Sequence, residues 1–501
     1  MEAESATVGS IPIHVQLEQL AKNLSTAART LALQAEKQKL SLASKNAGDQ
    51  LGNDVNNVDL LNARRDVLSQ ARGICTLLST PADFLERLAM NTQLLACLQW
   101  LCESQVLATI PRETSVPFGD IAAITGVPEA HLCRVARTMM TVGFLHEPVP
   151  CQVAHTALSA SFVIKPSLLD AALFLSDTAV PASLKMVTAS KQFADVQDAQ
   201  HTAFNLAMST PHSFAKSCEQ ERRLSRRAQT YFRYCMGDDD AGVREVLGQL
   251  DWSSLGNATI VDAGAPTSMV ASSLAIESPQ LNIIVQPSEE DPALLMLGQH
   301  GRKPSLGACP TARDNPQHVK QRLSIQPRAM GAVQTVGSAS VYILRLPSLS
   351  PVLDWKTWQQ RVHAELRAHI NVLRTNAACR LLLVARALPS QADLPNADVE
   401  GCARLRDLSL LQLSNSSELD RGTLRAFIHS LRQGSGGSLL LVQEYKSPAS
   451  PFVAFEMRYE APTAADVERR EVLSGKSSRQ GSVANGPPFA PPAAQMVGFV
   501  R

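Results

Sequence analysis

The sequence lacks closely spaced cysteine pairs. Its ten cysteines lie from Cys75 to Cys402, and no two of them form a C-x-x-C motif. Common structural zinc sites need two such pairs to complete a tetrahedron, so we expect no metal site of this kind. A disulfide framework is equally unexpected in a chain of 501 residues without a secretory signal.

Long hydrophobic runs are also missing. The longest apolar stretches, such as Leu381 to Ala385 and Leu439 to Val442, are far shorter than the ~18–20 residues that cross a bilayer. We interpret them as buried strands. The first ten residues, MEAESATVGS, have no apolar core, which argues against a signal peptide. The sequence therefore predicts a protein inside the cell, with reduced thiols and no membrane contact.

An excess of one charge is absent as well. Lys and Arg total 47 against 46 Asp and Glu, which gives a formal net charge of +1. No global attraction to nucleic acid or to an acidic membrane is expected, and any such contact has to be local. Hydrophobic residues make up 45% of the chain. This is enough apolar material for about two to four domains of roughly 100–200 residues each.

Residues 1–57 are predicted to form a helical arm and a loop. Over 13–40, apolar residues recur in steps of four and three and so lie along one side of a helix. These residues are Ile13, Leu17, Leu20, Leu24, Ala27 and Leu31. Two interpretations remain open: a helix that lies on its own domain, and a dimerisation arm. The Gly-, Asn- and Asp-rich segment 46–57 ends this unit as a loop.

Residues 58–170 are predicted to form a winged-helix domain. After a helical pattern over 60–107, a short amphipathic helix over 118–125 is followed by Gly126 and Pro128, which permit a tight turn and a new helix. The second helix spans 129–142 and ends at Gly143, and residues 144–158 have the extended character of a wing. Two helices separated by so short a turn indicate a helix-turn-helix.

The predicted helix-turn-helix has few basic residues. Between Arg112 and Lys165, four basic residues balance four acidic ones, 4 − 4 = 0. A DNA-reading helix brings Arg and Lys to phosphates and base edges, whereas the second helix offers Arg134 and Arg137. We therefore expect packing or dimerisation from this element, and no direct sequence-specific DNA binding.

The remaining residues predict a connector, an α/β domain and a tail. Residues 171–250 have a mostly helical pattern, in which the run over 221–227, ERRLSRR, is interpreted as a solvated helix face. Across 251–460, β-branched strands alternate with amphipathic helices, which indicates a Rossmann-like, mostly parallel sheet with helices on both faces. Residues 461–501 are rich in Pro, Gly and Ser and predict a disordered tail. The predicted fold class is α+β and multidomain.

Three features taken together resemble one protein family. They are the helix-turn-helix, the phrase FNLAMST over 204–210 and the strand-turn VDAGAP over 261–266. Small-molecule O-methyltransferases of plants and fungi join a winged-helix dimerisation domain to a doubly wound methyltransferase domain, with a similar F-N-x-x-M phrase between the two. The resemblance covers residues 60–460 and implies this fold.

A narrower resemblance is carried by longer phrases. LLACLQWLCESQVLA, GVPEAHLCRV, VAHTALSASFV and DWSSLGNA are similar to phrases of fungal methyltransferase-like transcriptional co-activators encoded in aflatoxin-type polyketide gene clusters. The resemblance implies a nuclear accessory protein, with the cytoplasm as a second location and a homodimer as the expected oligomer. It also implies a zinc-cluster transcription factor of the same cluster as partner, and a pathway for an aromatic toxin or pigment as target.

The residues of a methyl-donor site are largely replaced. Family enzymes carry a turn resembling V-D-x-G-G-G-x-G, in which glycines let the backbone approach S-adenosylmethionine. Here Asp262 and Gly264 remain, whereas Ala265, Pro266 and Ser268 stand where glycines are expected. Pro266 also fixes φ and removes a backbone donor. We interpret Asp262 and Gly264 as remnants that shape a strand end.

Two further groups of the expected site are missing. An acidic residue at the end of the second strand accepts the ribose hydroxyls in related sites, and Gln286 stands there. Charge-assisted capture is thereby lost, although Glu289 and Glu290 remain open as substitutes. The general base of the family, a histidine in an H-D-W phrase, corresponds to Leu353 in the phrase LDW. His363, the nearest histidine, is interpreted as a helix-surface residue.

Loss of the donor turn, the ribose acceptor and the base together predicts a pseudoenzyme without catalytic or cofactor-binding residues. The sheet persists because fold stability depends on apolar strands and not on the site at their ends. The first hypothesis is a non-catalytic transcriptional co-activator that acts by protein contact. The second is a methyltransferase for a phenolic polyketide with a rearranged site around Glu289 and His363. The third is a non-catalytic binder of a polyketide intermediate in the old substrate cleft.

Overall fold

The computed structural model describes residues 12–37, 58–194, 196, 198–237, 240–287, 322–376, 378–390, 396–430 and 438–460. Three predictions fall outside these ranges: the loop over 46–57, the substitutes Glu289 and Glu290, and the tail over 461–501. The division of the chain at residues 57, 170, 250 and 460 stays a prediction.

Four helices are described in the N-terminal part, over 12–37 and 58–109. They are α1 (Ile13–Lys37), α2 (Val58–Leu78), α3 (Pro81–Glu103) and α4 (Val106–Thr109). The predicted apolar stripe of α1 is half-buried from Leu17 to Leu31, and α1 packs along α2. A Cβ on Gly73 of α2 would lie 3.2 Å from the side chain of Leu20. α1 therefore lies on its own chain, as the first interpretation predicts.

Two helices and a small antiparallel sheet follow. They are β1 (Val116–Pro117), α5 (Phe118–Thr125), α6 (Glu129–Met140), β2 (Leu145–His146) and β3 (Gln152–His155), with the strands in the order β1-β3-β2. Gly126 ends α5 at φ 72°, in the left-handed region that favours glycine. Ile121, Leu132 and Val153 are fully buried and join the helices to the strands in one core. The predicted helices and extended segment are thus present, and α6 ends two residues earlier than predicted.

Short helices lead from this unit to the large sheet. They are α7 (Ala157–Ile164), α8 (Pro166–Phe174), a π-helical turn (Leu175–Ala179), α9 (Val180–Leu184), α10 (Met186–Gln192), α11 (Ala203–Met208), α12 (Phe214–Gln220) and α13 (Arg222–Cys235). Asn205 of the FNLAMST phrase exchanges hydrogen bonds with Thr202 at the start of α11 and donates to two carbonyls of the following turn. Among the described helices, none alone has the length and composition to span a bilayer, and one pair bent by 97°, Ala157–Ile164 with Pro166–Leu184, meets both criteria together.

The basic run over 221–227 is not a purely solvated face, because the prediction holds for Arg226, whose side chain is 63% exposed, and is wrong for Arg227. Arg226 donates two hydrogen bonds to Asp170 of α8, at 2.8 and 3.0 Å. Arg227, whose side chain is 12% exposed, donates to Asp177 of the π-helical turn at 3.0 Å. Both acids lie about 50 residues earlier in the chain, so local charge content does not reveal these pairs.

A seven-stranded sheet forms the centre of the C-terminal half. Its strands are β4 (Thr259–Ala263), β5 (Asn282–Gln286), β6 (Leu323–Ile325), β7 (Val341–Arg345), β8 (Arg380–Arg386), β9 (Ser438–Lys446) and β10 (Phe452–Glu460). Their spatial order is β6-β5-β4-β7-β8-β10-β9. The first five are parallel, and β10 lies antiparallel between β8 and β9. The predicted, mostly parallel sheet is confirmed.

Helices cover both faces of this sheet. They are α14 (Asp240–Leu247), α15 (Met269–Glu277), α16 (Trp355–Thr375), α17 (Ala397–Ser414) and α18 (Arg421–Ser430). Alternate residues of a strand point to opposite faces. Ile260 and Ile343 accordingly pack in the core with α14 and α15, whereas Val261 and Tyr342 pack in the core with α16, α17 and α18.

Helix α2 is attached to the end of the sheet by polar side chains. Arg65 donates to the carbonyl oxygen of Ala449, in the turn between β9 and β10, at 2.9 Å. Asn62 donates to Glu245 of α14 at 3.1 Å. Leu60, at the same end of α2, is fully buried. The N-terminal helices therefore contact a turn that lies 384 residues further along the chain.

Candidate functional site

The carboxyl ends of β4, β5 and β7 form the sheet edge at which parallel α/β proteins bind ligands. The strand order reverses at β4, because β5 and β6 lie on one side of it and β7 and β8 on the other. Asp262 and Gly264 lie at the end of β4, and Gln286 ends β5. The structure brings these three predicted remnants together and adds Arg345 at the end of β7, which sequence reasoning missed.

Gly264 is required by the chain's own packing. Its φ is +74°, and its N–H donates to the carbonyl oxygen of Gln286 at 3.0 Å. A Cβ at this position would lie 2.9 Å from the carbonyl oxygen of Arg345. Any side chain would therefore be strained in the left-handed region and would also collide with β7. The surviving glycine serves the close approach of two strand ends.

Asp262 is bound by an arginine of the same chain. Arg345 donates from Nε to Asp262 Oδ1 at 2.8 Å and from a terminal nitrogen to Oδ2 at 2.6 Å. Its other terminal nitrogen donates to Asp240 Oδ1, the first residue of α14, at 2.6 Å. Thr267 donates its hydroxyl to the second oxygen of Asp240. All three charged side chains are at most 7% exposed.

The electrostatics of this cluster follow from its burial. Removal from water raises the pKa of the Asp262 carboxyl above its ordinary value, although Arg345 acts in the opposite direction. Burial alone would lower the pKa of Arg345, but the carboxylates of Asp262 and Asp240 hold it above its ordinary value. The guanidinium is thus charged, and each of its three nitrogens donates to a carboxylate. It lies at the place where the loop that binds the methyl donor would be expected.

Gln286 is likewise bound from within the chain. Its amide nitrogen donates to Gln334 Oε1 at 3.0 Å, and Gln334 returns a hydrogen bond to Gln286 Oε1 at 2.8 Å. Arg328 donates to the same oxygen of Gln286 at 3.1 Å. Gln286 is 2% exposed. The oxygen that a ribose hydroxyl would need therefore already accepts two hydrogen bonds, from residues more than 40 positions away.

The polar network continues to a buried histidine that the sequence analysis did not single out. Arg328 forms an ion pair with Glu365 of α16, and Gln334 contacts His369 Nε2 at 3.1 Å. His369 Nδ1 lies 2.9 Å from the carbonyl oxygen of Glu365 and must donate to it, so Nε2 is the acceptor. Burial, reinforced by Arg328, lowers the pKa of His369 to about 3.

The residues predicted around the missing base have structural partners. Leu353 packs against the core. Asp354 accepts a hydrogen bond from the backbone of Thr357 at 2.8 Å and so caps α16. Trp355 stacks on Trp358 with ring centroids 5.0 Å apart. The phrase LDW thus starts a helix, with no proton-accepting histidine in it.

His363 is not the surface residue that was predicted. It is half-buried, and its ring meets Phe427 of α18 edge-on at 5.3 Å. Burial, followed by Arg367, lowers the pKa of His363 below its ordinary value. The helical pattern placed His363 outside because α18, which covers it, comes some 60 residues later in the sequence. Glu289, its predicted companion in a rearranged site, lies outside the described residues.

Metal-ligating clusters and disulfides are absent from the part of the chain that the structure describes. No group of three or more His, Cys, Asp or Glu side chains there is arranged to hold a metal ion. The nine described cysteines are all free thiols, and they are spread over both halves of the fold. The described groups at the sheet edge therefore offer ion pairs and amide hydrogen bonds as their chemistry.

Curated proteins resemble the chain over most of its length, although no family model matches it. The dothistromin biosynthesis regulatory protein of Dothistroma septosporum is 41% identical over 410 residues, 80% of this chain and 89% of that protein. The monodictyphenone cluster transcriptional coactivator of Emericella nidulans is 37% identical over 475 residues, 89% and 98% of the two chains. The aflatoxin cluster transcriptional coactivator of Aspergillus flavus is 36% identical over 447 residues, 88% and 97%.

Solved structures share the fold at low identity. The crystal structure of OxaC superposes with a TM-score of 0.53 at 17% identity, over 89% of this chain and 100% of that one. LepI in complex with SAM gives a TM-score of 0.53 at 14% identity, over 88% and 99%. OxaC has also been solved with SAH and oxaline. At such identities the likeness shows a common fold and says nothing about what this sheet edge binds.

Proposed function

The chain belongs to the family of O-methyltransferase-like transcriptional coactivators of fungal secondary-metabolite clusters, and from this membership we propose that it activates transcription of a polyketide cluster by protein contact, without methyl transfer. The observation that carries the second half of the proposal is the Arg345 side chain. Its three nitrogens donate hydrogen bonds to Asp262 and Asp240 beside Gly264. S-adenosylmethionine bound at this place would have to displace a buried ion pair.

The partner that we propose is a zinc-cluster transcription factor of the same cluster, met in the nucleus. The names of the monodictyphenone and aflatoxin relatives support this role, since a coactivator works on transcription through another factor. The small number of available arginines on helix α6 supports the need for a separate DNA-binding factor. Arg137 is held by both oxygens of Glu147 at 3.0 and 3.1 Å, which leaves Arg134 as the remaining arginine of α6 to meet a phosphate.

Titration with S-adenosylmethionine tests the non-catalytic half of the proposal. We expect no binding heat from the purified full chain, because Asp262 and Gln286 are both bound internally. OxaC, which crystallises with SAH, is the positive control. Saturable binding of S-adenosylmethionine, or methylation of a phenolic polyketide, contradicts the proposal and favours the enzyme hypothesis.

The coactivator half of the proposal has its own test. The tagged chain is expected to co-purify with the zinc-cluster factor, and deletion of its gene is expected to lower the transcripts of the cluster. Unchanged transcripts would refute it.

We also propose that the N-terminal region, as a winged-helix dimerisation domain, joins two copies of the chain. The first thirteen residues of α3, 81–93, are exposed on all faces and include Phe84, Leu85, Leu88 and Met90. A helix of this length has marginal stability in water without packing, and burial of each large apolar side chain stabilises a contact by about 1.5–3 kcal/mol. A partner that surrounds this segment supplies such packing.

The double substitution Leu85→Glu with Leu88→Glu is expected to convert a dimer into a monomer. Both side chains are about half or more exposed in the single chain, at 65% and 49%, so the substitutions leave the core of one chain intact. Sedimentation velocity measures the mass. Leu184→Glu, at a 77% exposed leucine of α9, is the control and should remain dimeric. A wild-type chain that sediments as a monomer at micromolar concentration refutes this assignment.

A further inference from the structure

The first turn of α13 is poorly stabilised by its own sequence. Glu221, the residue before the helix, makes no side-chain hydrogen bond that caps it, and the first turn contains no acidic residue. Arg222 and Arg223 stand there instead, at the positive end of the helix dipole, where cations are unfavourable. The N–H of Ser225 donates to the carbonyl oxygen of Glu221 at 3.2 Å and closes this turn. Such a helix end frays more readily than the middle of α13.

Two arginines of this turn are exposed and unengaged. Among the described residues, the guanidinium groups of Arg222 and Arg223 have no partner in an ion pair or a hydrogen bond. The next two arginines of the run, Arg226 and Arg227, are bound by carboxylates of α8 and of the π-helical turn. The segment over 221–227 therefore presents two adjacent free cations to solvent.

Ser225 brings an unengaged hydroxyl to the same turn. Its side chain is half-buried, and no described group forms a hydrogen bond with its oxygen. Serines within helices often donate to the carbonyl oxygen four residues earlier, as Ser414 does to Leu410 in α17. Ser225 follows Arg222 by three positions and Arg223 by two. A hydroxyl without a partner thus comes shortly after two cations without a partner.

Arginines two and three positions before a serine form the charge pattern that basophilic protein kinases select. These enzymes present carboxylates to the two guanidinium groups, so the arginines must be accessible and must not already be paired. They also bind their substrates as extended segments, which the frayed first turn of a helix can supply. Arg222 and Arg223 meet the first condition, and the weak start of α13 meets the second.

We propose that Ser225 is a phosphorylation site for a basophilic protein kinase. Its hydroxyl oxygen bonds to the γ-phosphorus of ATP, the bond from that phosphorus to the bridging oxygen breaks, the hydroxyl proton passes to the catalytic aspartate of the kinase, and ADP leaves. The phosphate carries about −1.5 to −2 charges at neutral pH. It lies one helical turn from Arg222 and supplies the anion that the start of α13 lacks. The surface at this helix end thereby loses its positive charge.

Incubation of the full chain with MgATP and the catalytic subunit of cAMP-dependent protein kinase tests the proposal. Tandem mass spectrometry is expected to place phosphate on Ser225, and Ser225→Ala should remove it. Arg302 and Lys303 stand at the same positions before Ser305, outside the described residues, so rates on Ser225 are measured in a Ser305→Ala background. Arg222→Gln should lower kcat/KM at Ser225 by about tenfold or more, the effect of losing one charge-assisted contact.

Arg233→Gln is the matched control, because Arg233 is an exposed arginine of the same helix outside the pattern. Its kcat/KM at Ser225 should equal that of the wild type. A synthetic peptide over 219–229 is the unfolded reference. Absence of phosphate on Ser225 of the folded chain overturns the proposal, and the peptide then tells whether a closed turn or an unread sequence is the cause. Equal rates for Arg222→Gln and wild type, or equal loss in Arg233→Gln, would overturn it as well.

Hydrogen exchange gives a second readout of the phosphate. The fully phosphorylated chain is expected to exchange about two- to fivefold more slowly over 222–228 than the unmodified chain, because an anion is favourable at the start of a helix. The kinase-treated Ser225→Ala chain is the control and should show no change. Faster exchange over 222–228 after phosphorylation would contradict the stabilising role assigned to the phosphate.

Discussion

Replacing Arg345 by methionine is expected to lower the free energy of unfolding by about 3–5 kcal/mol, the cost of leaving buried carboxylates without their partner. Asp262 and Asp240 both depend on this guanidinium, and their side chains are 1% and 7% exposed. Methionine keeps the apolar stem, so the loss reports on charge and hydrogen bonds. Urea denaturation followed by circular dichroism measures it through the shift in midpoint.

The destabilisation in Arg345→Met should shrink as the solution becomes more acidic. The pKa of Asp262 is already raised by burial, and without Arg345 it rises further. An acid whose folded-state pKa is raised loses stability as pH rises through that pKa and regains it below, where the proton removes the stranded charge.

Two comparison variants define the effect of Arg345→Met. Adding Asp240→Asn and Asp262→Asn should restore most of the lost stability at neutral pH, since no unpaired charge remains. Arg226→Met removes an exposed ion pair with Asp170 and should cost under about 1 kcal/mol. A loss in Arg345→Met no larger than in Arg226→Met would mean that water reaches the cluster.

His369 is expected to make the protein sensitive to acid. Its pKa is lowered from 6.5 to about 3, because the ring is completely buried, with Arg328 nearby. Between these two pKa values, His369 binds a proton in the unfolded chain but not in the folded chain. The free energy of unfolding should therefore fall with decreasing pH by up to about 1.4 kcal/mol per pH unit from this one residue. Urea midpoints from pH 7 to pH 4 measure the slope.

The substitution His369→Gln should remove this contribution to the slope. Glutamine retains a donor for the carbonyl oxygen of Glu365 and an acceptor for Gln334, but it does not titrate. The groups that face this position are Glu365, Arg328, Gln334 and the ring of Tyr342. His363→Gln, on the same helix at a half-buried position, is the control and should change the slope less. Equal slopes in wild type and His369→Gln would show that the ring is protonated in the folded chain.

The strands of the large sheet could be predicted from sequence because their apolar content is local. VYILRL and CRLLLVAR are short, β-branched or leucine-rich runs, and they form β7 and β8 close to the predicted bounds. The parallel order follows from helices such as α16 between them. Pairing between distant segments could not be predicted in this way. Strand β6 has three residues and no run long enough to signal it.

The partners of the remnant residues were missed for the same reason. Asp262 and Arg345 lie 83 residues apart, and Gln286 and Gln334 lie 48 apart. The sequence showed that the glycines and the acidic residue of a methyl-donor site were missing from the sheet edge. It did not show that Arg345 and Gln334 bind the residues that remain there. One signal was present: a charged residue that ends an otherwise apolar buried strand, as Arg345 does in VYILRL, requires a buried counter-charge. Asp262, at the end of the neighbouring strand, is the nearest acid in that layer.

The attachment of α2 to the turn between β9 and β10 bears on how the chain is made. Arg65 leaves the ribosome 384 residues before Ala449, its hydrogen-bond partner. At about 5–20 residues per second, roughly 20–80 s pass between the synthesis of Arg65 and that of Ala449. The surface on which α2 docks is therefore absent for that time. During that interval the apolar side of α2, with Leu60, needs temporary cover from α1 or from a chaperone. A nascent chain that stops before the last hairpin would never supply that surface, so its N-terminal helices would stay undocked and open to proteolysis.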